Sequence, residues 1–115
     1  MSERTVALYL TDILDAIERI EKYTKALSLK KFRDDEKTID AVVRNFEIIG
    51  EAARHVPNAM RLRHPAVPWK QIVGARDKVI HEYFGVDLDV LWKTVAEDLS
   101  VLKQQVAELL GEKAL

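Results

Sequence analysis

One stretch of the sequence brings together side chains that general acid–base chemistry requires. Residues 74–84 include Arg76, Asp77, His81 and Tyr83. Residues four apart lie on the same side of a helix, so Asp77 can hydrogen-bond one imidazole nitrogen of His81 and select the tautomer of the ring. Arg76 and Tyr83 are seven apart and also share a face. One helix edge can therefore present a permanent cation, a titratable imidazole and a phenol.

This set of groups suits the cleavage of RNA without a metal ion. In that reaction the ribose 2′-hydroxyl attacks the phosphorus, a base takes its proton, an acid protonates the leaving oxygen, and a cation stabilises the phosphate. His81 can transfer protons near neutral pH, and Arg76 offers a fork of donors that matches phosphate oxygens. One histidine is few for two proton transfers, but a symmetric dimer would supply two.

The same residues also fit a purely structural role. An arginine followed five positions later by a histidine occurs by chance in helical proteins. His81 can stabilise a helix end, where the dipole favours a cation, and Tyr83 can pack beside Phe84. Spacing alone favours this structural interpretation over the catalytic one.

Charge is unevenly distributed along the chain. The net charge is −1, so the whole chain gives no indication of nucleic-acid binding. Residues 54–78, the basic segment, contain six basic residues and one acidic residue, whereas the remainder contains 12 basic and 18 acidic residues. A basic segment can attract phosphates, but charge alone slightly favours a solvated surface. His55 and His64 lie in this segment without metal-ligand spacing, and we interpret both as surface residues or as part of the basic segment.

Length and composition narrow the class of protein. The 115 residues predict a single domain over 1–115. The absence of cysteine excludes disulfides and thiolate metal sites, and it agrees with a reducing cytoplasm. No apolar run approaches the roughly 20 residues of a membrane span, and residues 1–4 do not resemble a secretory signal. We therefore expect a cytoplasmic protein with no membrane segment, no metal site and no cofactor.

Hydrophobic periodicity predicts helices in the first half of the chain. The first helix has an apolar stripe with the spacing of one buried face, formed by Val6, Leu10, Ile13, Ile17, Ile20, Thr24 and Leu27. A polar connection runs from Ser28 to Asp35. The second helix runs from about Asp35 to Val56, and its apolar stripe comprises Val42, Phe46, Ile49, Ala53 and Val56.

The second helix also carries a polar stripe, defined here as Asp40, Arg44, Glu47, Glu51 and Arg54. These residues step by four and three, so they share one face of the helix. Spacing favours a solvated face with weak ion pairs and leaves a polar interface as the alternative.

Prolines and caps divide the second half of the chain. Pro57 ends the second helix or opens a short turn, and two further prolines mark a loop from His64 to Trp69. A third helix is predicted from about Trp69 to Tyr83, with Gly85 as its C-terminal cap.

The last helix is predicted to start after the N-cap residue Asp87, with Val86 and Leu91 as a hydrophobic staple. It reaches about Gly111, and its apolar stripe comprises Leu88, Leu91, Trp92, Val95, Leu99, Leu102, Val106 and Leu109. We expect Trp69 and Trp92 to be core or interface aromatics. The predicted fold class is all-α, an antiparallel bundle of four to five helices.

Several motifs, in order along nearly the whole chain, resemble the HepT-like family of the HEPN superfamily. The matching segments are Tyr9–Ile17, Arg44–Ala53, Pro68–Asp77 and Val86–Trp92, together with Arg76–Tyr83, which fits the family's Arg-x4-His-x-Tyr motif without a gap. This ordered set is far more specific than a single Arg-x4-His pair, and it favours the catalytic interpretation of that pair.

The resemblance implies a HEPN-like helical bundle that is the toxin of a toxin–antitoxin pair. It implies a metal-independent endoribonuclease that acts on RNA as a homodimer, with a composite site formed by Arg76 and His81 of both chains. Asp77 takes a supporting place after the arginine. Tyr83 occupies the position to which the partner, a minimal nucleotidyltransferase antitoxin, transfers AMP. An anion on Tyr83 would neutralise and block a phosphate site.

Two other functions remain open from the sequence. The chain could be a non-catalytic helical subunit that binds a nucleotide or substrate for a minimal nucleotidyltransferase, or it could be a purely structural bundle. In the polar stripe, Arg44 and Glu51 could face either the catalytic site or a dimer partner.

Overall fold

The structure, a computed structural model, describes residues 5–74 and 88–114, with side chains up to residue 111. All regular secondary structure in these residues is helical, which confirms the all-α fold class. The predicted third helix begins at residue 69 as expected and is described as far as residue 74. The predicted cap and staple residues Gly85, Val86 and Asp87 lie outside the described residues.

Within each of the two described ranges, the helices follow one another with short connections. They are α1 (Val6–Thr24), α2 (Leu29–Arg33), α3 (Glu36–Arg54), α4 (Asn58–Arg63), α5 (described over 69–74), α6 (Leu88–Lys93) and α7 (Leu99–Ala114). A π-helical turn, Thr94–Asp98, joins α6 directly to α7. The predicted bounds of the second helix, Asp35 to Val56, agree with α3 and its two capping residues, Asp35 and His55.

The antiparallel packing of α1 and α3 is shown by two contacts near their opposite ends. The rings of Tyr9 and His55 stack with centroids 4.6 Å apart. Two to three turns further along α1, the Nε of Arg19 donates a hydrogen bond of 2.7 Å to the side-chain oxygen of Asn45. Arg19 follows Tyr9 by ten residues on α1, whereas Asn45 precedes His55 by ten residues on α3. The two helices therefore run in opposite directions.

One hydrophobic core holds the described helices together. The stripes predicted for the first, second and last helices supply most of it, and its fully buried large side chains are Leu10, Ile13, Ile17, Ile20, Phe32, Val42, Val106 and Leu109. Apart from Phe32, these side chains recur every three or four residues within their helices, so helical periodicity was a sufficient signal for them. Among residues 5–74 and 88–114, no helix is long and apolar enough to cross a membrane.

Side-chain caps define where three helices start. Thr5 accepts a hydrogen bond from the backbone of Leu8, and Ser28 accepts one from the backbone of Lys31. The carboxylate of Asp35 accepts bonds from both the hydroxyl and the backbone N–H of Thr38. These two bonds lower the pKa of Asp35, because they favour the ionised carboxylate.

The connection from Ser28 to Asp35 is more ordered than predicted. It contains α2, a single helical turn whose Phe32 is completely buried. Phe32 packs against Trp92 of α6 with ring centroids 5.1 Å apart, and Arg33 forms an ion pair with Asp89. Because a five-residue helix buries only one large side chain, it leaves no periodic pattern in the sequence. The sequence therefore predicted a polar connection here without its helical turn.

The last helix also departs from a regular α-helix. At Thr94–Asp98 the backbone N–H of Leu99 bonds to the carbonyl of Thr94, five residues earlier, which is the π-helical pattern. The hydroxyl of Thr94 donates to the carbonyl of Val90 at 3.0 Å. Neither glycine nor proline marks this turn, so the sequence predicted a continuous α-helix.

Arg61 of α4 holds the end of α3 in place. Its guanidinium donates to the carbonyls of Val56 and Ala53 at 3.0 and 2.7 Å. The same group lies over the ring of Trp69, 5.9 Å from the ring centroid. Trp69 is itself buried and donates from its indole nitrogen to the carbonyl of His64. The loop between α3 and α5 is therefore organised around one arginine and one tryptophan.

We predict that Phe32→Ala lowers the free energy of unfolding by about 3–5 kcal/mol, because it empties a fully buried aromatic site. The matched control is the exposed neighbour Lys31→Ala, which should change it by no more than about 0.5 kcal/mol. Urea unfolding followed by circular dichroism measures both values. Equal effects of the two substitutions would mean that α2 does not contribute to the core.

We predict that Arg61→Ala lowers the free energy of unfolding by about 1.5–3 kcal/mol, because two helix-terminal carbonyls lose a charged donor. Lys70→Ala is the control, since Lys70 is another basic residue of the same segment but is exposed. The same denaturation assay applies. A loss for Lys70→Ala as large as that for Arg61→Ala would contradict the capping role.

Candidate functional site

The residues predicted to carry the chemistry lie between the two described parts of the chain. Arg76, Asp77, His81 and Tyr83 are all outside the described residues. The structure shows instead how the flanking segments are held, and what surfaces the described helices present around them.

The segment that leads into the motif is anchored in the core. Trp69 and Ile72 of α5 are buried, and Val73 packs partly against the core cluster. The backbone N–H of Trp69 bonds to the carbonyl of Val67, which is also buried. The start of α5 is therefore held on two sides, by the loop before it and by the core beneath it.

The segment that leads out of the motif is equally well anchored. Leu91 of α6 is buried, and Trp92 rests on Phe32 of α2. The ion pair between Asp89 and Arg33 joins the same two helices at the surface. Rigid supports on both sides of a motif are what a preorganised site requires. Trp69 is buried in the core and Trp92 is partly buried against it, in agreement with the prediction that both are core or interface aromatics.

An apolar groove of about 470 Å³ lies between α3, α5 and the π-helical turn. Its walls include Phe46, Ile49, Ile72 and Leu102, with Asp98 as the acidic residue of its lining. None of its described lining residues is a histidine, a lysine or an arginine. These described residues are suited to apolar contact and contain no acid–base pair for catalysis.

A second groove, the polar groove, has a volume of about 440 Å³ and lies between α1 and α3. It contains part of the polar stripe, and its lining residues are Tyr9, Asp12, Arg44, Glu47, Ile48, Glu51, Ala52 and His55. The shared face predicted for the stripe is therefore confirmed. Arg44 and Arg54 are well exposed, as expected for a solvated face, whereas Glu47 retains only 27% of its side-chain exposure.

Ion pairs and one aromatic stack organise the polar groove. Glu51 accepts from Arg54 at 2.9 Å and lies 3.4 Å from the Nε2 of His55. Arg44 reaches Glu47 at 3.4 Å. The ring of His55 is almost parallel to that of Tyr9, with an angle of 9° between the planes. His55 is thus held by a carboxylate and by an aromatic ring.

The described residues of the polar groove do not favour a free phosphate or a metal ion. Among them, three carboxylates, from Asp12, Glu47 and Glu51, outnumber the basic side chains of Arg44 and His55. Within residues 5–74 and 88–114, no group of three or more His, Cys, Asp or Glu residues could hold a metal ion.

The sequence pointed to some features of this groove and missed others. His55 is exposed, as predicted, and its contact with Glu51 follows from their spacing of one helical turn. Its stack on Tyr9 joins residues far apart in the sequence, so no local pattern indicates it. His64 lies in the basic segment as described above, but it is half-buried with its Nε2 away from solvent, which the sequence did not indicate.

The basic segment, residues 54–78, is used in different ways over its described part. Arg61 caps carbonyls of α3 and lies over Trp69, and Arg54 forms an ion pair with Glu51. Lys70 is exposed on α5. The interpretation of this segment as a solvated surface therefore does not hold for Arg61, which is a structural residue.

Comparison with known proteins gives a consistent result. The family model described as "Ribonuclease HepT-like" matches residues 13–109. A protein of Thermococcus cleftensis named "Probable ribonuclease HepT" is 50% identical over 101 residues, which cover 88% of this chain and 92% of that protein.

Two further relatives carry provisional RNase names. One, from Methanocaldococcus jannaschii, is 42% identical over 106 residues, which cover 92% of this chain and 97% of the relative. The other, from Caldanaerobacter subterraneus, is 42% identical over 110 residues, which cover 96% and 98%. No solved structure matches the chain significantly. The family match extends from within α1 to the end of the core stripe of α7, and the chain therefore belongs to the HepT-like family of ribonucleases.

Proposed function

We propose that this protein is the endoribonuclease toxin of a cytoplasmic toxin–antitoxin pair, and that it cleaves RNA without a metal ion. One observation carries the proposal: the residues matched by the family model, 13–109, include the Arg76–Tyr83 motif. The described structure supports it, because the segments on both sides of that motif are anchored in the core by Trp69 and Leu91.

The proposed reaction is an internal transfer at phosphorus. The ribose 2′-oxygen bonds to the phosphorus as the bond to the 5′-oxygen of the next nucleotide breaks, giving a 2′,3′-cyclic phosphate and a 5′-hydroxyl. A base takes the 2′-hydroxyl proton, and an acid gives a proton to the leaving 5′-oxygen. His81 is the proposed proton-transfer group, and Arg76 the proposed cation beside the phosphate.

The two proton transfers explain why a homodimer is part of the proposal. A single imidazole that acts as the base is protonated just when an acid is needed, so two imidazoles in opposite protonation states perform the reaction better. A composite site built from two chains brings two copies of His81 and two of Arg76 to one phosphate. Asp77, one turn before His81, is proposed to orient the imidazole.

We also propose that a minimal nucleotidyltransferase antitoxin inactivates the protein at Tyr83. In that step the phenolic oxygen attacks the α-phosphorus of ATP, pyrophosphate leaves, and AMP remains on the tyrosine. The added phosphodiester places a negative charge and a nucleoside on the helix that carries Arg76. An anion there competes directly with the RNA phosphate.

The first test is RNA cleavage by the purified, unmodified protein in EDTA. We expect cleavage to persist in EDTA, and to fall by about 10²–10⁴-fold in His81→Ala. An RNA with a single 2′-deoxy nucleotide at the mapped cleavage site should remain intact at that position, because the nucleophile is missing. Circular dichroism checks that the variant is folded.

The outcomes separate the possible functions. Cleavage that disappears in EDTA would contradict a metal-independent mechanism. Full cleavage by His81→Ala would remove His81 from the site. If the unmodified protein cleaves no RNA but binds nucleotide beside a nucleotidyltransferase, the non-catalytic binding subunit is the better description.

The second test concerns Tyr83. Incubation with the cognate nucleotidyltransferase, ATP and Mg²⁺ should add AMP to the wild-type protein and abolish its RNA cleavage. Tyr83→Phe is the matched control, since it keeps the ring but lacks the acceptor oxygen. This variant should cleave RNA at a rate within several-fold of the wild type and gain no mass. A wild-type protein that gains AMP elsewhere, or stays active with AMP on Tyr83, would contradict the proposal.

A further inference from the structure

The polar stripe is the face of α3 that the core does not use. The opposite face of the helix is buried through Val42, Phe46, Ile49 and Ala53. We propose that the stripe is the surface through which two copies of this chain pair, with their α3 helices antiparallel. The two-fold axis would pass between positions 47 and 48. This inference rests on the homodimer of the proposed function and gives that dimer its surface.

The order of charges along α3 is self-complementary in this register. In an antiparallel pair of helices, a residue that precedes the two-fold axis by a given number of positions lies level with the partner residue that follows the axis by the same number. Arg44 then lies opposite the partner's Glu51, and Asp40 lies opposite the partner's His55. Two-fold symmetry repeats each contact, so four pairs of opposite or complementary polarity form across one interface.

One alternative register brings like charges together. If the axis passed through position 49, Arg44 would lie opposite the partner's Arg54, and Glu47 opposite the partner's Glu51. Like charges placed opposite each other disfavour an interface strongly. The charge pattern therefore favours the proposed register over this alternative.

The ion pairs within one chain leave the arginines available for a second contact. Arg44 is 69% exposed and only 3.4 Å from Glu47, so it can bridge its own Glu47 and the partner's Glu51. Glu47 and Glu51 are one turn apart, and two like charges at that spacing destabilise an isolated helix. In the dimer each chain brings an Arg44 toward these carboxylates, including the two copies of Glu47 that flank the axis.

The neighbouring part of α1 extends the same surface. Tyr9 and Asp12 line the polar groove beside the stripe. Leu8, one turn before Asp12, is a large apolar side chain that is 49% exposed. Tyrosine and arginine are among the residues enriched in protein interfaces, and an exposed leucine adds apolar area to a charged face.

Charge-reversal variants that are mixed in pairs give a direct test. In Arg44→Glu homodimers, glutamates would face the partner's glutamates at both symmetric positions, and in Glu51→Arg homodimers arginines would face arginines. We expect each variant to raise the dimer dissociation constant by about 10- to 100-fold. An equimolar mixture should form heterodimers with an affinity near that of the wild type, because both of its cross-chain pairs are then Glu–Arg.

Sedimentation velocity over a concentration series, with native mass spectrometry, measures these equilibria. Glu108→Arg is the control, because it reverses an exposed charge on α7, away from α3, and should leave the dimer unchanged. Circular dichroism and thermal unfolding check that every variant is folded. Recovery on mixing cannot be explained by a folding defect in either chain.

The outcomes distinguish this surface from the dimer itself. If Arg44→Glu and Glu51→Arg each dimerised with the dissociation constant of the wild type, the proposed surface would be overturned. The homodimer of the proposed function would still stand. Two monomeric variants that remain monomeric on mixing would overturn the register. A wild type that is monomeric at all concentrations while cleaving RNA would overturn both the surface and the composite site. Heterodimers that regain the RNA cleavage lost in the single variants would support both.

Discussion

The packing of α3 along α1 is the constraint on which the other features of this structure depend. Asn45 is buried in that interface, where it accepts a hydrogen bond from Arg19 and donates one to the carbonyl of Ala41 at 2.8 Å. A buried amide left without these partners would cost free energy, so the pair favours one register of the two helices over its alternatives. That register places the apolar stripe of α3 in the core. The same register brings Tyr9 alongside His55.

Because α3 is buried on one side, its opposite face has to remain accessible, and that face carries five charged residues over four turns. A chain of this length buries a limited fraction of its surface, so a second copy is a natural source of further burial. The proposed enzymatic chemistry points the same way, since two proton transfers on one phosphate call for two imidazoles. Stability and catalysis would then share one interface.

The proposed active motif is flanked in the sequence by segments that are anchored in the core on both sides. Before it, Arg61, Trp69 and the loop carbonyls form a compact unit that also closes the end of α3. After it, Phe32 and Trp92 join the short helix α2 to α6. Both supports use aromatic rings in fixed contacts, which restrict rotation more than exposed polar contacts do. A site that binds a flexible polynucleotide benefits from such rigid flanks, because catalysis depends on holding groups near a productive geometry.

The sequence by itself determined the helical fold class, the bounds of α3, the apolar stripes, the shared face of the polar stripe and membership of the HepT-like family. These features are local or repeat along the chain: periodicity, caps and ordered motifs are all read from near neighbours. The candidate catalytic residues Arg76 and His81 rest on the motif alone. Only the tertiary structure decided the burial of Phe32, the use of Arg61 as a cap, the stack of Tyr9 on His55 and the half-buried place of His64. Each of these depends on which distant segments meet in space, and a single side chain without a repeat carries no signal of that meeting.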